Sequence, residues 1–288
     1  MNAEWRINMR QDKKHRKVRK CKSEPNFSGQ HLLHNKQIIR QIIKAAQIKS
    51  KDTVIDLGAG KGALTLDLAK KAKRVIAIEN DMDFAEILRE KVKDYPNITV
   101  IENDILKYRF PRSPFYVVSN IPYAITTPIM EKLLDKPVNA LQGAVITMEK
   151  GAAKRFTKVP VTDPRILVWR IWFQMEIVRV VSKNNFSPPP KVDSAVLKIR
   201  RRVNPLIQPE QYLQFRGLAQ YGLKYPELPI YKALAGVFTP AQIKQLVKEL
   251  GVDREMPVYL LDQYQWGTVF QTMVQYVEVF RWPKPEKR

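Results

Sequence analysis

TVIDLGAGKGALTLDLA, residues 53–69, is the stretch on which the fold turns. An apolar run, Thr53–Leu57, gives way to Gly58, Gly60 and Gly62, after which apolar residues recur at helical spacing, so it reads as strand, tight turn and helix. Upstream, NKQIIRQIIKAAQI from Asn35 puts Ile38, Ile39, Ile42, Ile43 and Ala46 on one helical face. Downstream, strands are predicted at Arg74–Ile78, Ile98–Ile101, Phe115–Ser119 and Ala144–Thr147, and helices near Ala63–Lys71, Asp83–Lys93, Thr127–Leu134 and Lys150–Phe156. Such alternation predicts a mainly parallel sheet covered on both faces. Glu176–Val181 and Val192–Arg200, separated by the proline-rich NNFSPPPK, read as a closing antiparallel pair. Beyond Arg202 the pattern is helical, at Glu210–Leu223, Pro240–Leu250 and Gln263–Val279, with KYPELPIYKAL broken by prolines. The expected fold is α/β, a Rossmann-like sheet with a smaller C-terminal all-helical domain. Its divisions are a basic tail 1–22, a sheet domain 23–202 and a helical domain 203–288.

The chain of 288 residues carries 50 Lys and Arg against 28 Asp and Glu, a formal charge of +22, yet is 44% hydrophobic. That apolar content excludes a disordered polycation, and the charge calls for a polyanion, nucleic acid or an anionic membrane. No apolar run approaches the ~18 residues of a spanning helix, so insertion in a membrane is not expected. MNAEWRINMRQDKKHRKVRK has no apolar centre and is not a secretory signal. The single cysteine, Cys21, reads as a free thiol in a mobile tail, and a cytoplasmic protein is expected. Cys21, His31 and His34 lack a partner cysteine at ligand spacing, so no metal is expected. Residues 1–22 hold +7 and residues 203–288 only +2, which leaves +13 on 23–202, the segment with the sheet pattern.

Three nucleotide-type ligands use a glycine turn opening a helix. A P-loop fails because Ile55 stands five residues before Gly60 and Gly62 follows Lys61. The dinucleotide fingerprint fails because the spacing is Gly58-x-Gly60-x-Gly62 and the acid, Asp56, precedes the turn. What remains is the arrangement of S-adenosylmethionine (SAM) methyltransferases. Glu79 ends the second strand 21 residues after Gly58, where a carboxylate can accept from both ribose hydroxyls. Asp104, after the third strand, is placed to accept from the adenine amino group of the cofactor.

Asn120-Ile121-Pro122-Tyr123 follows the fourth strand, at the carboxyl edge where such sheets bind ligands. The exocyclic amine of adenine is a poor nucleophile because its lone pair is delocalised into the ring. The Asn120 side-chain oxygen and the Ile121 carbonyl can hold its two hydrogens and favour a pyramidal nitrogen. Pro122 fixes the turn and Tyr123 stacks on a flipped base. A sulfonium donor is already activated, so catalysis is positioning and electrostatics without a metal.

The set NFSGQHLLHN (26–35), DLGAGKGALT (56–65), IEN (78–80), NDIL (103–106), NIPY (120–123) and FSPPPKVDSAVL (186–197) resembles the rRNA adenine N6-methyltransferases, over roughly residues 23–202. The resemblance implies that Gln30–Leu33 closes over the cofactor, with contacts from Gln30, His31, Leu33, Ile105 and Asn120 beside Asp56, Gly58, Gly60, Glu79 and Asp104. It also implies that Phe186 packs against the target base opposite Tyr123. His31 stands where the family more often has asparagine. Asn-Ile-Pro-Tyr, the aromatic stretch WRIWF (169–173) and the run Arg200–Arg202 are more similar to the erythromycin-resistance (Erm) branch, which methylates one adenine of 23S rRNA. Trp169, Trp172 and Phe173 themselves are expected to pack in the core.

The expected partner is therefore 23S rRNA, protein-free or precursor rather than in the assembled ribosome, bound by a monomer. The outcome would be resistance to macrolides, lincosamides and streptogramin B. Lys150, Lys154, Arg155, Lys158 and Arg165, after the fifth strand, are candidate contacts to the RNA backbone; any one of them could equally be a solvated surface charge. Two rivals stay open: a small-subunit (16S) rRNA adenine dimethyltransferase, and a non-catalytic RNA-binding factor that keeps a vestigial cofactor fold.

Overall fold

The computed structural model describes residues 31–286. The basic tail, Cys21 and Gln30 lie outside the described residues. The strands are β1 (Leu32–Leu33), β2 (Thr53–Leu57), β3 (Arg74–Glu79), β4 (Ile98–Glu102), β5 (Phe115–Asn120), β6 (Leu141–Glu149), β7 (Phe173–Val181), β8 (Phe186–Ser187) and β9 (Ser194–Arg201). Between them run α1 (Lys36–Ala46), α2 (Thr65–Ala69), α3 (Met82–Val92), α4 (Thr126–Leu134), α5 (Lys150–Thr157) and α6 (Pro164–Trp172). The chain ends in α7 (Tyr212–Gly222), α8 (Ile230–Ala233), α9 (Pro240–Leu250) and α10 (Gln263–Tyr276).

The main sheet has the order β4-β3-β2-β5-β6-β9-β7. Its first five strands are parallel, while β9 runs antiparallel to both β6 and β7, so the expected antiparallel closing pair is present. Strand order reverses between β2 and β5, and ligands of open α/β sheets bind at the carboxyl ends beside such a reversal. There the register pairs only Val54 with Tyr116 and Ile55 with Val117. Beyond that pair the Ser119 hydroxyl accepts the Leu57 amide at 2.6 Å, a side chain standing in where the backbone ladder has stopped.

Helix α1 forms as its pattern predicts. Asn35 caps it by accepting the amides of Gln37 and Ile38, Gln47 ends it in the left-handed region, and Ile38, Ile39, Ile42 and Ile43 are buried on the sheet. Helix α2 is shorter than the predicted Ala63–Lys71, because Gly58, Gly60 and Gly62 all take positive φ and hold the chain in a turn up to Thr65. Helix α6 is an element absent from the sequence reading. Asp163 caps it and Pro164 opens it, and all seven residues from Ile166 to Trp172, six apolar or aromatic and Arg170, are buried. A helix buried on every side shows no amphipathic period. Trp169 and Trp172 pack in the core as expected, donating from their indole nitrogens to Asp135 Oδ1 and the Ile207 carbonyl, both at 2.8 Å. Trp172 also meets Phe215 edge-on, and Phe215 meets Phe270 likewise. One apolar cluster thus runs from Ile55 and Leu57 in the sheet, past the division expected between residues 202 and 203, into α7 and α10.

Candidate active site

At the strand-order reversal, Asp56 closes β2 with its side chain 1% exposed. Its Oδ2 accepts the Thr65 hydroxyl at 2.8 Å and its Oδ1 has no partner. Burial, reinforced by Glu79 and opposed by the nearby hydroxyls of Thr65 and Ser119, pushes the Asp56 carboxyl up to about 7. The turn that follows is packed from three sides. A Cβ on Gly58 would meet Pro122 at 3.3 Å and Ile105 at 3.6 Å, one on Gly60 would meet Leu32 at 2.8 Å, and one on Gly62 would meet Leu88 at 2.5 Å. Gly58, Ile105 and Pro122, named from separate motifs, are therefore neighbours.

Glu79 is buried at the end of β3, and its carboxylate clips the turn together. Oε2 accepts the Gly60 amide at 2.7 Å, and Oε1 accepts those of Asn80 and Asp81 at 2.9 and 3.0 Å. Those bonds leave less than the two free acceptors that a bidentate ribose contact needs. Asp104 is half-buried and accepts the Leu106 amide at 2.8 Å, while Ile105 is buried.

Asn120 is the last residue of β5. Its Nδ2 donates to the His31 carbonyl at 2.7 Å, which fixes the amide so that Oδ1 is the open atom; Oδ1 is buried without a partner. Ile121 is buried and donates its amide to the Thr147 carbonyl at 3.2 Å. Pro122 holds φ −61° and ψ 129° ahead of a short 3-10 turn. The Tyr123 hydroxyl bonds Ser194 Oγ, and burial raises the phenol above its usual range, so it stays protonated at neutral pH. The His31 ring lies 5.5 Å from that of Tyr123, and its Nδ1 is bonded to the Pro188 carbonyl at 2.8 Å.

Strands β1 and β8 pair antiparallel, Leu32 with Ser187 and Leu33 with Phe186, and form a strap across the glycine turn. Phe186 is 2% exposed within the cluster under α1, together with Leu33, and the ring that lies beside Tyr123 is that of His31. Leu33 is in that core as well, although it also borders the cavity. Three further residues went unnamed in the sequence reading: Leu32 on Gly60, Ser194 on Tyr123 and Thr65 on Asp56. Each lay inside a quoted motif, yet no spacing marks which hydroxyl or methyl faces the site.

A cavity of about 1190 Å³ opens here, bordered by Asp56, Gly58, Ala59, Asn120 and Ser187 among others. Glu79, Asp104 and Ile105 do not line it. Of the five candidate RNA cations, Lys154, Arg155 and Lys158 are exposed and Lys150 is half-buried. Arg155 donates to Thr127 Oγ1 at 2.7 Å and lies over the Phe156 ring. Arg165 is ion-paired with Glu131, which answers the charge that a phosphate would need. Among the described residues no cluster of His, Cys, Asp and Glu could hold a metal, and no helix is long and apolar enough to cross a membrane.

Two buried acceptors without partners, on neighbouring strands beside a left-handed glycine turn, fit a ligand that brings donors and positive charge. SAM is such a ligand, and the doubly wound sheet with its site at the reversal is that of a SAM-dependent methyltransferase. The ribosomal RNA adenine dimethylase family matches residues 22–275. The chain is 51% identical over 264 residues to an rRNA adenine N-6-methyltransferase of Bacillus licheniformis and 50% identical to one of Bacillus anthracis, with 92% of each chain covered. Among solved structures it superposes on the 23S rRNA methyltransferase ErmE with a TM-score of 0.76 at 27% identity, over 85% of this chain and 100% of that one. The chain belongs to the ribosomal RNA adenine dimethylase family and is a SAM-dependent rRNA adenine N6-methyltransferase.

Proposed function

We propose that the substrate is one adenine of 23S rRNA, taken as protein-free or precursor RNA by a cytoplasmic monomer, and that its methylation gives resistance to macrolides, lincosamides and streptogramin B. The observation that carries the chemistry is the open, buried Oδ1 of Asn120. When bound, SAM supplies a methyl group already activated on a sulfonium. Asn120 Oδ1 accepts one hydrogen of the adenine amine and the Ile121 carbonyl accepts the other, which turns the nitrogen lone pair out of the ring plane. With the methyl group taken from the sulfonium, the amine nitrogen would carry the positive charge and would lose its proton afterwards, so the site needs no strong base. Tyr123, steadied by Ser194, offers its face to the base. Asp56, Gly58, Gly60, Glu79, Asp104, Ile105, His31, Leu33 and Gln30 form the cofactor side in this reading. Glu79 acts there mainly through the amides that it clips. Lys150, Lys154, Arg155, Lys158 and the tail 1–22 supply phosphate contacts. The choice of 23S over 16S rRNA is supported by the likeness to ErmE along its whole length.

The test is transfer from tritiated SAM to protein-free 23S and 16S rRNA, with the position read by primer extension. A single labelled adenine in 23S is expected. Label confined to 16S would establish the small-subunit alternative, and a chain that binds SAM and RNA yet labels neither would be a binding factor.

A further inference from the structure

The cavity at the glycine turn is larger than the roughly 300–1,000 Å³ of a small-ligand site, and its outer walls are strongly basic. Along one wall run Lys36, Arg40 and Lys44, at i, i+4 and i+8 on the exposed face of α1. Lys61, which lies over the Phe84 ring, Lys71, and Lys91, which donates to the Lys61 carbonyl, also line the cavity. Among the described residues, the only carboxylates on the lining are Asp56, deep in the site, and Asp67, which is paired with Lys70. Among the described residues, Lys36, Arg40, Lys44 and Lys71 make no salt bridge.

Within α1 the helix dipole favours only Lys44, in the last turn. Like charges four residues apart on a helix oppose its formation, and Lys36 stands in a first turn that has no acid, against the helix dipole. α1 begins directly after the strap whose His31 carbonyl holds Asn120, so the stripe starts at the reactive edge and leads away from it. A folded surface with this much unanswered positive charge, continuous with the methyl-transfer site, suits a polyanion and not the chain's own basic tail.

We infer that the groove between α1 and the α2 side of the turn is a second track for the rRNA backbone, with Lys36, Arg40 and Lys44 each contacting a phosphate of the strand that carries the target adenine. It rests on the rRNA-substrate reading and adds a surface on the side of the sheet away from α5, where the sequence pointed.

The experiment is equilibrium binding of a labelled rRNA fragment to the full chain across a salt series, wild type against Lys36→Gln/Arg40→Gln/Lys44→Gln. Losing three phosphate contacts to a single strand lowers the log–log salt slope by about 2, or about a hundredfold in affinity at 0.1 M salt if the 1 M value holds. SAM affinity, measured separately by calorimetry, stays within about twofold, and Lys36→Arg/Lys44→Arg keeps the wild-type slope. An unchanged slope overturns the inference, as does a loss of SAM affinity at unchanged slope, which would assign the stripe to the cofactor. Failure of the rRNA reading itself is separately visible, because wild type would then neither bind the fragment nor methylate it.

Discussion

Gly60, in the turn after β2, and Gly251, which caps α9, share a left-handed backbone, with φ of 54° and 65°. Their surroundings are opposite. A Cβ on Gly60 would come 2.8 Å from Leu32, whereas one on Gly251 would meet nothing within 4 Å. The contrast extends to the regions around them. In the C-terminal helices α9 and α10, polar ends are answered locally, by capping boxes at Thr239 with Gln242 and Asp262 with Gln265. Partnerless buried atoms there, Arg216 Nε and Trp266 Nε1, are single donors on separate helices. At the reactive edge, Asp56 Oδ1 and Asn120 Oδ1 are acceptors on adjacent paired strands, left open beside a turn closed by its neighbours. An unsatisfied buried group costs roughly 1–3 kcal/mol, and these two residues border the cavity. The helical region is built for stability, and the edge gives up some stability for binding.

The sharpest way to break that comparison is Asn120→Ala. If Asn120 Oδ1 is kept open for the substrate amine, methyl transfer falls by on the order of a hundredfold or more, as expected for lost positioning at the reacting atom. RNA affinity remains nearly at the wild-type level. Single-turnover transfer and RNA binding measured on the same preparation separate the two. Equal loss of both would make Asn120 a structural residue, holding the strap through the His31 carbonyl.

The second prediction concerns Asp56. A carboxyl titrating at about 7 in the ligand-free protein is largely protonated at pH 6 and largely ionised at pH 8. A cationic cofactor prefers the ionised form, so SAM affinity should rise about tenfold from pH 6 to pH 8 and level off above. Asp56→Asn should flatten the profile. The stability effect has the reverse sign of an ordinary paired carboxylate. Because the folded state holds this proton more tightly than the unfolded chain, whose value is near 3.8, the contribution of Asp56 to stability is greatest in acid and declines as pH rises towards 7. A flat SAM profile in the wild type would show that Asp56 does not face the cofactor's charge.

These two residues were both legible in the sequence, for a physical reason. The sheet, the glycine turn and Asn-Ile-Pro-Tyr are short-range signals, in which a backbone demand and the chemistry sit within a few neighbouring residues. What the sequence concealed depends on distant segments meeting. The pairing of Leu32 and Leu33 with Ser187 and Phe186 joins two-residue strands too short to show alternation, and that pairing is what buries Phe186 and brings His31 to Tyr123. Ser194 at Tyr123 is likewise 71 positions away in sequence. Helix α6 escaped because its sides are all buried. The basic groove was overlooked because its cations are spread over α1, the turn and α3, and only the fold collects them.

The smallest expected effect tests the quiet side of the comparison. Gly251→Ala puts a side chain where there is space and keeps only the backbone penalty of a left-handed residue, about 1–2 kcal/mol. Chemical denaturation should therefore show a modestly lower midpoint with an unchanged slope on denaturant, while methyl transfer and SAM affinity remain at wild-type values. If transfer falls along with stability, the helical region is coupled to the reactive edge through the apolar cluster that the sheet shares with α7 and α10. The division of labour drawn above would then give way to a single cooperative unit in which Trp172, Phe215 and Phe270 transmit the change.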